Sequence, residues 1–244
     1  LSLLNPMTAW RLLNDFEYLK PGDFIVQNAG NSAVGLSVIQ FAAKLGVKCI
    51  SLVRSEIARE KLLSFSKTDV FLDQDDAVEE ISSLTKGKKC LMALNSVGGK
   101  SALRLAKCLS RGGVHVTFGA MDGEPIRFPT RNLIFDDIRF VGFWLDRWKE
   151  SRGLNDIRKS IESVLQPLTL MEIRHPVDSI FNLNEFENQT KCFLEKKISC
   201  CIIAMFARNL FAKSLAKHLK FPVQHMSTTA RRCSKGSIRA CLIF

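Results

Sequence analysis

The sequence predicts an α/β protein built on a doubly wound parallel sheet, and three observations support this fold class. Short apolar runs alternate with amphipathic segments along most of the chain. The connections between the apolar runs are about 20 residues long, which suits helical crossovers between parallel strands. Small residues follow several of the runs, at Gly30, Gly98-Gly99 and Gly119-Ala120. Ligands of such sheets bind at the carboxyl ends of the strands, where we expect these small residues to lie.

Hydrophobic period and boundary residues place the individual elements. The chain opens with a helix, for which Asn5 is the expected cap and Pro6 the expected first helical residue. Predicted strands cover residues 23–28, 47–53, 70–72, 90–94, 114–118, 138–143 and 175–180, and further predicted helices cover residues 34–45, 56–65, 75–84, 101–109, 155–165 and 182–193. The alternation gives the βαβ pattern of a Rossmann fold.

A glycine-containing turn joins the first strand to the next helix. Gly30, Ser32 and Gly35 occupy the small-residue positions of G-x-G-x-x-G, with a serine in the middle. We expect Gly30 to allow the sharp turn, Ser32 to let the backbone approach a pyrophosphate, and Gly35 to let helix and strand pack closely. The helix directs free N–H groups and its positive dipole end toward an anion. The turn predicts dinucleotide binding; a plain strand-to-helix turn is the alternative.

Arg54 follows the second predicted strand. At this position an acidic residue binds the 2′-hydroxyl of NAD, whereas an arginine accommodates the 2′-phosphate of NADP. The first carboxylate after the strand is Glu56. Arg54 therefore favours NADPH as the cofactor, and the alternative is a solvated surface arginine.

The positive charge of the chain is concentrated near its C-terminus. The 244 residues carry a net charge of +11, and ten positive charges lie between Lys196 and Arg239, where Asp and Glu are absent. Residues 1–195 therefore have a net charge of only +1, so we do not expect the body to bind nucleic acid. The basic segment 205–234 is interpreted as a membrane-surface helix, an RNA-binding tail or a segment appended by an erroneous gene model. We favour the last two. No apolar run reaches about 18 residues, so no transmembrane segment is expected.

Cysteine, histidine and tyrosine residues give no independent catalytic or metal signal. The eight cysteines include no C-x-x-C pair, and we interpret them as free thiols in a reducing compartment. His115 lies in a strand-like run and is expected to be a core residue. Tyr18, the single tyrosine, stands beside a turn, where a packing role is favoured over proton donation.

Five segments carry a more specific signal than the glycine spacing. They are NPMTAWRLL at residues 5–13, QNAGNSAVG at residues 27–35, Val53-Arg54, LNSVGGKS at residues 94–101 and GFWL at residues 142–145. Together they resemble the mitochondrial 2-enoyl thioester reductases, or enoyl-acyl-carrier-protein reductases, of the medium-chain dehydrogenase/reductase superfamily. The resemblance covers roughly residues 1–195.

This resemblance implies NADPH-dependent reduction of the 2,3 double bond of trans-2-enoyl thioesters on acyl carrier protein or coenzyme A. The resemblance also implies a role in mitochondrial fatty acid synthesis, in the matrix, and no metal. A homodimer is expected by analogy, because the last strand of such sheets often pairs across a two-fold axis. Hydride passes from the nicotinamide to C3, and a proton is added at C2. Carried over position by position, the resemblance implies cofactor contacts at Asn5, Asn31, Ser32, Ala33, Val34, Arg54, Ser55, Glu56, Phe118, Gly119, Ala120, Met121, Phe143, Trp144 and Leu145.

The sequence departs from the family in two places. The family has a GroES-like catalytic domain with a tyrosine acid upstream, so we expect an N-terminally truncated chain and assign no catalytic residue. A family lysine near the C-terminus has no clear match in residues 198–203. The expected domains are a linking helix at 1–22, an NADPH-binding Rossmann domain at 23–150, a helix and return segment at 151–195 as a remnant of the GroES-like domain, and a basic tail at 196–244. The alternative function is an NADPH-binding or dimerisation module that is catalytically incomplete.

Overall fold

A six-stranded sheet forms the centre of the structure, a computed structural model that describes residues 3–126 and 129–176 and the backbone of residues 181–182 and 239–240. All five neighbouring strand pairs of this sheet are parallel. The strands are β1 Phe24–Gln27, β2 Lys48–Val53, β3 Asp69–Leu72, β4 Cys90–Asn95, β5 Leu109–Thr117 and β6 Arg139–Gly142.

The strands are arranged in the order β3-β2-β1-β4-β5-β6. The chain first adds β2 and β3 on one side of β1. It then crosses to the other side of β1, where it adds β4, β5 and β6. This is the strand order of the Rossmann fold, whose ligands bind where the order reverses, between β1 and β4. Ile25 of β1 pairs with Met92 of β4 at that point. The predicted doubly wound parallel sheet is confirmed.

Helices connect and cover the strands. They are α1 Leu4–Asn14, α2 Ala33–Lys44, α3 Glu56–Phe65, α4 Ala77–Leu84, α5 Gly99–Lys107, α6 Thr130–Phe135, α7 Leu145–Glu150 and α8 Leu154–Thr169. Right-handed crossovers place α2 and α3 on one face of the sheet and α4 and α5 on the other, because the chain reverses its direction across the sheet after β3.

The core lies between the sheet and these helices. On one face, Val26 and Leu52 share an apolar cluster with Ile81 of α4 and Leu105 of α5. On the other, α1 packs along α2, where the rings of Trp10 and Phe41 meet edge to face with centroids 5.2 Å apart. Burial on both faces explains why the central strands are nearly all apolar.

Several predicted elements differ in extent from the observed ones. Helix α1 begins at Leu4, so Asn5 lies in its first turn and is not its cap; Leu3 holds that position without a side-chain bond. Pro6 is accordingly the third helical residue. Helices α6 and α7 were not predicted, because each has only six residues and shows too little of the helical period to recognise. Helix α8 continues through Pro167 to Thr169, beyond the predicted end at residue 165.

The predictions for the C-terminal part fall largely outside the described residues. His175 and Pro176 are not in a strand, and residues 177–180 of that predicted strand are not described. Phe181–Asn182 form β7, which pairs antiparallel with β8, Arg239–Ala240. Asn182 is therefore not helical, whereas residues 183–193 and the basic segment 205–234 lie outside the described residues. None of the described helices has the length and apolar character needed to span a bilayer.

Candidate functional site

The turn after β1 combines one strained residue with one close approach. Ala29 has a φ of 47°, in the left-handed region, which a side-chain-bearing residue adopts only under constraint. Gly30 donates its N–H to the carbonyl of Leu52 at 3.1 Å. A Cβ on Gly30 would lie 2.5 Å from Cβ of Ser51. The prediction that Gly30 allows the sharp turn is therefore wrong in detail: Ala29 makes the turn, and Gly30 lets it approach β2.

The first turn of α2 is a candidate cradle for an anion, called here the α2 cradle. Ser32 caps the helix, and its hydroxyl oxygen accepts the N–H of Gly35 at 3.1 Å. A Cβ on Gly35 would lie 2.6 Å from the carbonyl oxygen of Gly30, so only glycine fits where the helix meets the turn. The first N–H groups of a helix have no partner inside it. With the N–H of Gly35 used by the cap, those of Ala33 and Val34 remain for a ligand.

A buried network of amide and hydroxyl groups joins the ends of the central strands. Asn28, after β1, donates to Oδ1 of Asn95 on β4 at 2.8 Å and to Oγ of Ser101 on α5 at 2.9 Å. Its own Oδ1 accepts the N–H of Ser96 at 2.8 Å. Asn95 in turn donates to Oγ1 of Thr117 on β5 at 3.2 Å. The network fixes three strand ends at the edge where the sheet order reverses.

Sequence reasoning did not assign Asn28 and Asn95 this role. The available signal was a polar residue ending an otherwise apolar strand, once after β1 and once on β4. Both side chains are at most 1% exposed, and buried amides require hydrogen-bond partners. A pair of such residues at neighbouring strand ends therefore predicts a bond between them once the strand order is known.

The segment after β5 is held against the end of β4. Phe118 donates its N–H to the carbonyl of Asn95 at 2.9 Å, and Met121 donates its N–H to that of Ser96 at 3.0 Å. A Cβ on Gly119 would lie 2.9 Å from the same Ser96 oxygen. Ala120 and Met121 are exposed. The four predicted contacts from Phe118 to Met121 thus form one ordered stretch beyond the sheet.

Arg54, Ser55 and Glu56 follow β2 directly and open α3. Ser55 caps the helix by accepting the N–H of Ala58 at 3.3 Å. Glu56 is paired with Arg59 at 3.1 Å, which offsets its negative charge. Arg54 is exposed, and it has no ion pair among the residues that the structure describes. Its guanidinium is therefore available to an anionic ligand.

Phe143, Trp144 and Leu145 continue from β6 into α7. The N–H of Phe143 donates to the carbonyl of Thr117 at 2.8 Å, and its ring meets the ring of Phe16 edge to face at 5.7 Å. Trp144 is 65% exposed, whereas Leu145 is buried. The indole of Trp144 therefore presents a large apolar surface to solvent at the carboxyl end of β6.

Most of the predicted contacts lie at one edge of the sheet. The strands are parallel, so their carboxyl ends share an edge, and that edge carries the α2 cradle, the Arg54 segment, the Phe118 segment and the Trp144 segment. Asn5 does not follow a strand: it lies half-buried in the first turn of α1, which packs along α2.

Other titratable residues are structural. His115 is fully buried, and its Nε2 lies 3.2 Å from the carbonyl oxygen of Ala102; burial lowers its pKa to about 4. The expected core role is confirmed. Cys49, Cys90 and Cys108 are free and buried, and burial raises the pKa of Cys49 and of Cys108 to about 12. They are therefore unreactive thiols.

Tyr18 is not packed into the protein. It is 80% exposed, and Nζ of Lys20 lies 5.8 Å from the ring centroid. The predicted packing role is wrong, because the turn before β1 leaves the side chain on the surface.

A polar pocket of about 420 Å³ lies apart from these residues, between α1, α7 and α8. Arg11 is its central charge: it donates to Oγ of Ser160 at 2.9 Å, pairs with Asp15 at 3.2 Å, and lies 5.0 Å from the ring centroid of Trp148. Burial lowers the pKa of Arg11 and raises that of Asp15. These contacts join α1 to the two later helices, and none of the predicted cofactor residues lines the pocket.

Residues 33–161 match the family described as zinc-binding dehydrogenase. The chain belongs to this family. The matched region begins at the first residue of α2 and ends within α8, so it covers five of the six strands of the sheet, β2 to β6. Among the described residues, no group of three or more His, Cys, Asp or Glu side chains is arranged to hold a metal ion.

The relatives of the chain identify its branch of the family. The human mitochondrial enoyl-acyl-carrier-protein reductase is 34% identical over 201 residues, which are 80% of this chain and 54% of that enzyme. A structure of Etr1p with NADP and crotonyl-CoA is 28% identical, with a TM-score of 0.59, and the match covers 70% of this chain and 47% of that one. An Etr1p/Etr2p heterodimer from Candida tropicalis, a mitochondrial 2-enoyl thioester reductase, shares the fold at 24% identity and a TM-score of 0.68, over 79% of this chain and 57% of that one.

The predicted resemblance to mitochondrial 2-enoyl thioester reductases is confirmed by these matches. The chain spans about half the length of the curated relatives that it matches.

Proposed function

We propose that this chain is the NADPH-binding half of an enzyme that reduces the 2,3 double bond of trans-2-enoyl thioesters. The carrier of the acyl group is acyl carrier protein or coenzyme A. The observation that carries the proposal is the α2 cradle, with two available N–H groups, at the same sheet edge as Arg54, which has no ion pair among the described residues. The relatives support the reaction, since they are named enoyl-acyl-carrier-protein reductases.

The pyrophosphate of the cofactor binds at the N-terminus of α2. The N–H groups of Ala33 and Val34 donate to its oxygens, and the positive end of the helix dipole adds to the attraction. The Ser32 hydroxyl accepts the N–H of Gly35 and keeps its own hydrogen for the ligand. Beside Ser32, Asn31 adds a side-chain contact to the pyrophosphate. Ser32 stands where the glycine fingerprint has its middle glycine. In this position it both caps α2 and binds the pyrophosphate.

The 2′-phosphate binds at the end of β2. Arg54 is the donor, with Ser55 beside it at the start of α3, where the helix dipole again favours an anion. Glu56 does not repel the phosphate strongly, since its carboxylate is paired with Arg59. This arrangement favours NADPH over NADH, which lacks the phosphate.

The nicotinamide end of the cofactor lies along Phe118–Met121 and Phe143–Leu145. When bound, NADPH supplies the hydride that is added to C3 of the enoyl group. The residues of this chain orient the ring and exclude water from it, with the exposed Trp144 and Met121 as the apolar surface. Asn5 is assigned to the same site on the resemblance alone. No described side chain of this chain is assigned as the proton donor to C2.

The second candidate is an NADPH-binding or dimerisation module without turnover. The exposure of Tyr18 favours it, because the single tyrosine of the chain is 80% exposed and no proton donor is assigned. The edge strand of the sheet favours dimerisation: among the described residues β6 ends the strand order, and Leu133, Ile134 and Phe135 of the adjoining α6 are exposed. We propose a homodimer formed on this edge. The relatives are named mitochondrial enzymes, which supports a mitochondrial location, and we propose the matrix for this protein.

Two assays on the purified chain separate these functions. Titration with NADPH should quench tryptophan fluorescence through Trp144, and the Trp144→Phe variant serves as control for quenching at Trp10 and Trp148. No binding of NADPH or NADH at about 1 mM, the weak end of ordinary affinities, would contradict both functions. Oxidation of NADPH by a 2-enoyl-CoA, followed by absorbance, then decides between them. Loss of a general acid reduces a rate by about 10²–10⁴-fold, so turnover at the rate of a full-length relative would contradict the assignment of no acid to this chain.

A further inference from the structure

A short segment after α8 is held along α2 by side chains one helical turn apart. We call residues 172–175 the strap. Lys44, at the C-terminal end of α2, forms an ion pair with Glu172. One turn earlier, Gln40 donates to the carbonyl of Arg174 at 2.8 Å and accepts its N–H at 2.8 Å. The strap therefore runs along one face of the helix toward the N-terminus of α2.

The strap reaches the first turns of α2 at His175. Nε2 of His175 lies 3.1 Å from Oγ of Ser37, and the Ser37 hydroxyl donates to the carbonyl of Ala33 at 2.9 Å. A hydroxyl has only one hydrogen to donate. Ser37 therefore accepts from His175, and the imidazole carries its hydrogen on Nε2.

These bonds end on an amide that faces the proposed ligand. The carbonyl of Ala33 and the N–H of Val34 belong to the same peptide group. Hydrogen bonds in a chain polarise one another, so a bond accepted by this carbonyl makes the attached N–H a stronger donor. The relay runs from His175 through Ser37 and the Ala33 carbonyl to the N–H of Val34, with every donor directed toward the anion position.

We propose that His175 and Ser37 are positioning residues that orient and polarise the pyrophosphate-binding amide of Val34. The inference rests on the proposed function, because it takes the anion at α2 to be the pyrophosphate of NADPH. Neither side chain touches that anion. The strap thereby couples the segment that follows α8 to the affinity of the cofactor site.

The charge state of His175 gives the relay a measurable signature. Burial lowers the pKa of His175, and its Nδ1 is buried with no partner among the described residues, so the ring is neutral at pH 7. The charged groups on the elements around it are Lys44 and Glu172, which pair with each other, Arg174, and on α1 the pair of Arg11 and Asp15. An anion at the far end of the relay favours the protonated ring, so binding of NADPH raises the pKa of His175.

Affinity measurements on four variants of the full chain test the proposal. Ser37→Ala removes the middle of the relay and suits a helix; His175→Leu removes the first donor, and His175→Gln restores an N–H donor. Lys44→Met releases the opposite end of the strap and is the matched control. We expect Ser37→Ala and His175→Leu to weaken NADPH binding by about threefold to tenfold, the range that one hydrogen bond contributes. His175→Gln should recover part of this loss, and Lys44→Met should bind like the parent.

Proton NMR titration of His175, assigned by its absence in His175→Gln, gives a second and independent readout. The pKa of His175 should rise when NADPH is added to the parent chain and stay unchanged in Ser37→Ala. The proposal would be overturned if NADPH affinity simply followed the melting temperature in Lys44→Met and in the relay variants alike. It would also be overturned if the pKa of His175 did not change when NADPH is added. If the parent chain binds neither NADPH nor NADH, the proposed function itself fails and takes this inference with it.

Discussion

Asn28 and Asn95 share a buried hydrogen bond of 2.8 Å between the carboxyl ends of β1 and β4. These are the two strands between which the order of the sheet reverses. The bond therefore ties the two halves of the fold together directly beneath the α2 cradle. It makes the geometry of the nucleotide site dependent on a polar contact inside an otherwise apolar sheet.

Replacement of Asn28 by Ala should destabilise the protein. It removes the partner of Asn95, Ser96 and Ser101 and leaves their buried polar groups unsatisfied, at a cost of about 2–3 kcal/mol. For a domain of this size, the melting temperature should fall by about 5–10 °C. Asn155→Ala, at an exposed position of α8, is the control and should melt like the parent. A loss below about 0.5 kcal/mol, the scale of ordinary surface substitutions, would show that the network adds little to stability.

Replacement of Gly30 by Ala should damage both stability and cofactor binding. The new Cβ would lie 2.5 Å from Cβ of Ser51, so the turn must move away from β2, at a cost of about 1–3 kcal/mol. NADPH titration and thermal melting measure the two effects. The double variant Gly30→Ala/Ser51→Gly should recover part of the stability and of the NADPH affinity, because it removes the Ser51 side chain with which the new Cβ collides. Gly142→Ala is the control, since the nearest atom to its Cβ is 4.0 Å away. If Gly142→Ala and Gly30→Ala lost equal stability and NADPH affinity, the collision with Ser51 would not be the cause.

Arg54 should determine the preference between the two nicotinamide dinucleotides. Arg54→Gln removes the charged donor to the 2′-phosphate, so NADPH affinity should fall about tenfold to a hundredfold, the scale of a hydrogen bond to a charged group. The affinity for NADH should change little. Parallel titrations with both nucleotides measure the ratio, with Arg158→Gln on the exposed side of α8 as the matched control. An unchanged ratio of NADPH to NADH affinity in Arg54→Gln would show that the 2′-phosphate does not bind at this position.

His115 should make stability fall as the solution becomes acidic. Its pKa is lowered by burial to about 4 in the folded protein, against about 6.5 in the unfolded chain. Above the unfolded value both states are neutral. As the pH falls from about 6.5 to 4, the unfolded state takes up the proton first, so up to about 3 kcal/mol of stability is lost over this window.

Comparison of the parent with His115→Leu isolates this contribution from that of the carboxylates. Denaturant unfolding at a series of pH values measures it. The variant should lose less stability than the parent between pH 6.5 and pH 4, whatever its stability at pH 7. Parallel curves for the two proteins would show that His115 is not buried as a neutral group.

Local sequence signals were sufficient for the elements that build the sheet. Helix α3 was predicted at its observed bounds, Glu56–Phe65, and the structure shows that it has a local boundary signal, since Ser55 caps it. The six strands of the sheet were each located, since uninterrupted apolar runs between amphipathic segments are typical of strands buried on both faces.

Local sequence signals could not predict the contacts between segments that are distant in the chain. The bond between Asn28 and Asn95 depends on β1 lying beside β4, and the strap on α2 depends on where residues 172–175 return. The sharp turn was assigned to Gly30, because glycine adopts unusual backbone conformations at the least strain, whereas Ala29 takes the left-handed conformation. The collision with Ser51 that requires Gly30 is visible only once β2 is placed next to the turn.

The most direct test of the account is a crystal structure of this chain with NADP. The account predicts pyrophosphate oxygens within about 2.7–3.2 Å of the N–H groups of Ala33 and Val34 and the 2′-phosphate against the guanidinium of Arg54. A nucleotide bound away from the carboxyl edge of the sheet, or a 2′-phosphate in solvent with Arg54 turned away, would contradict it.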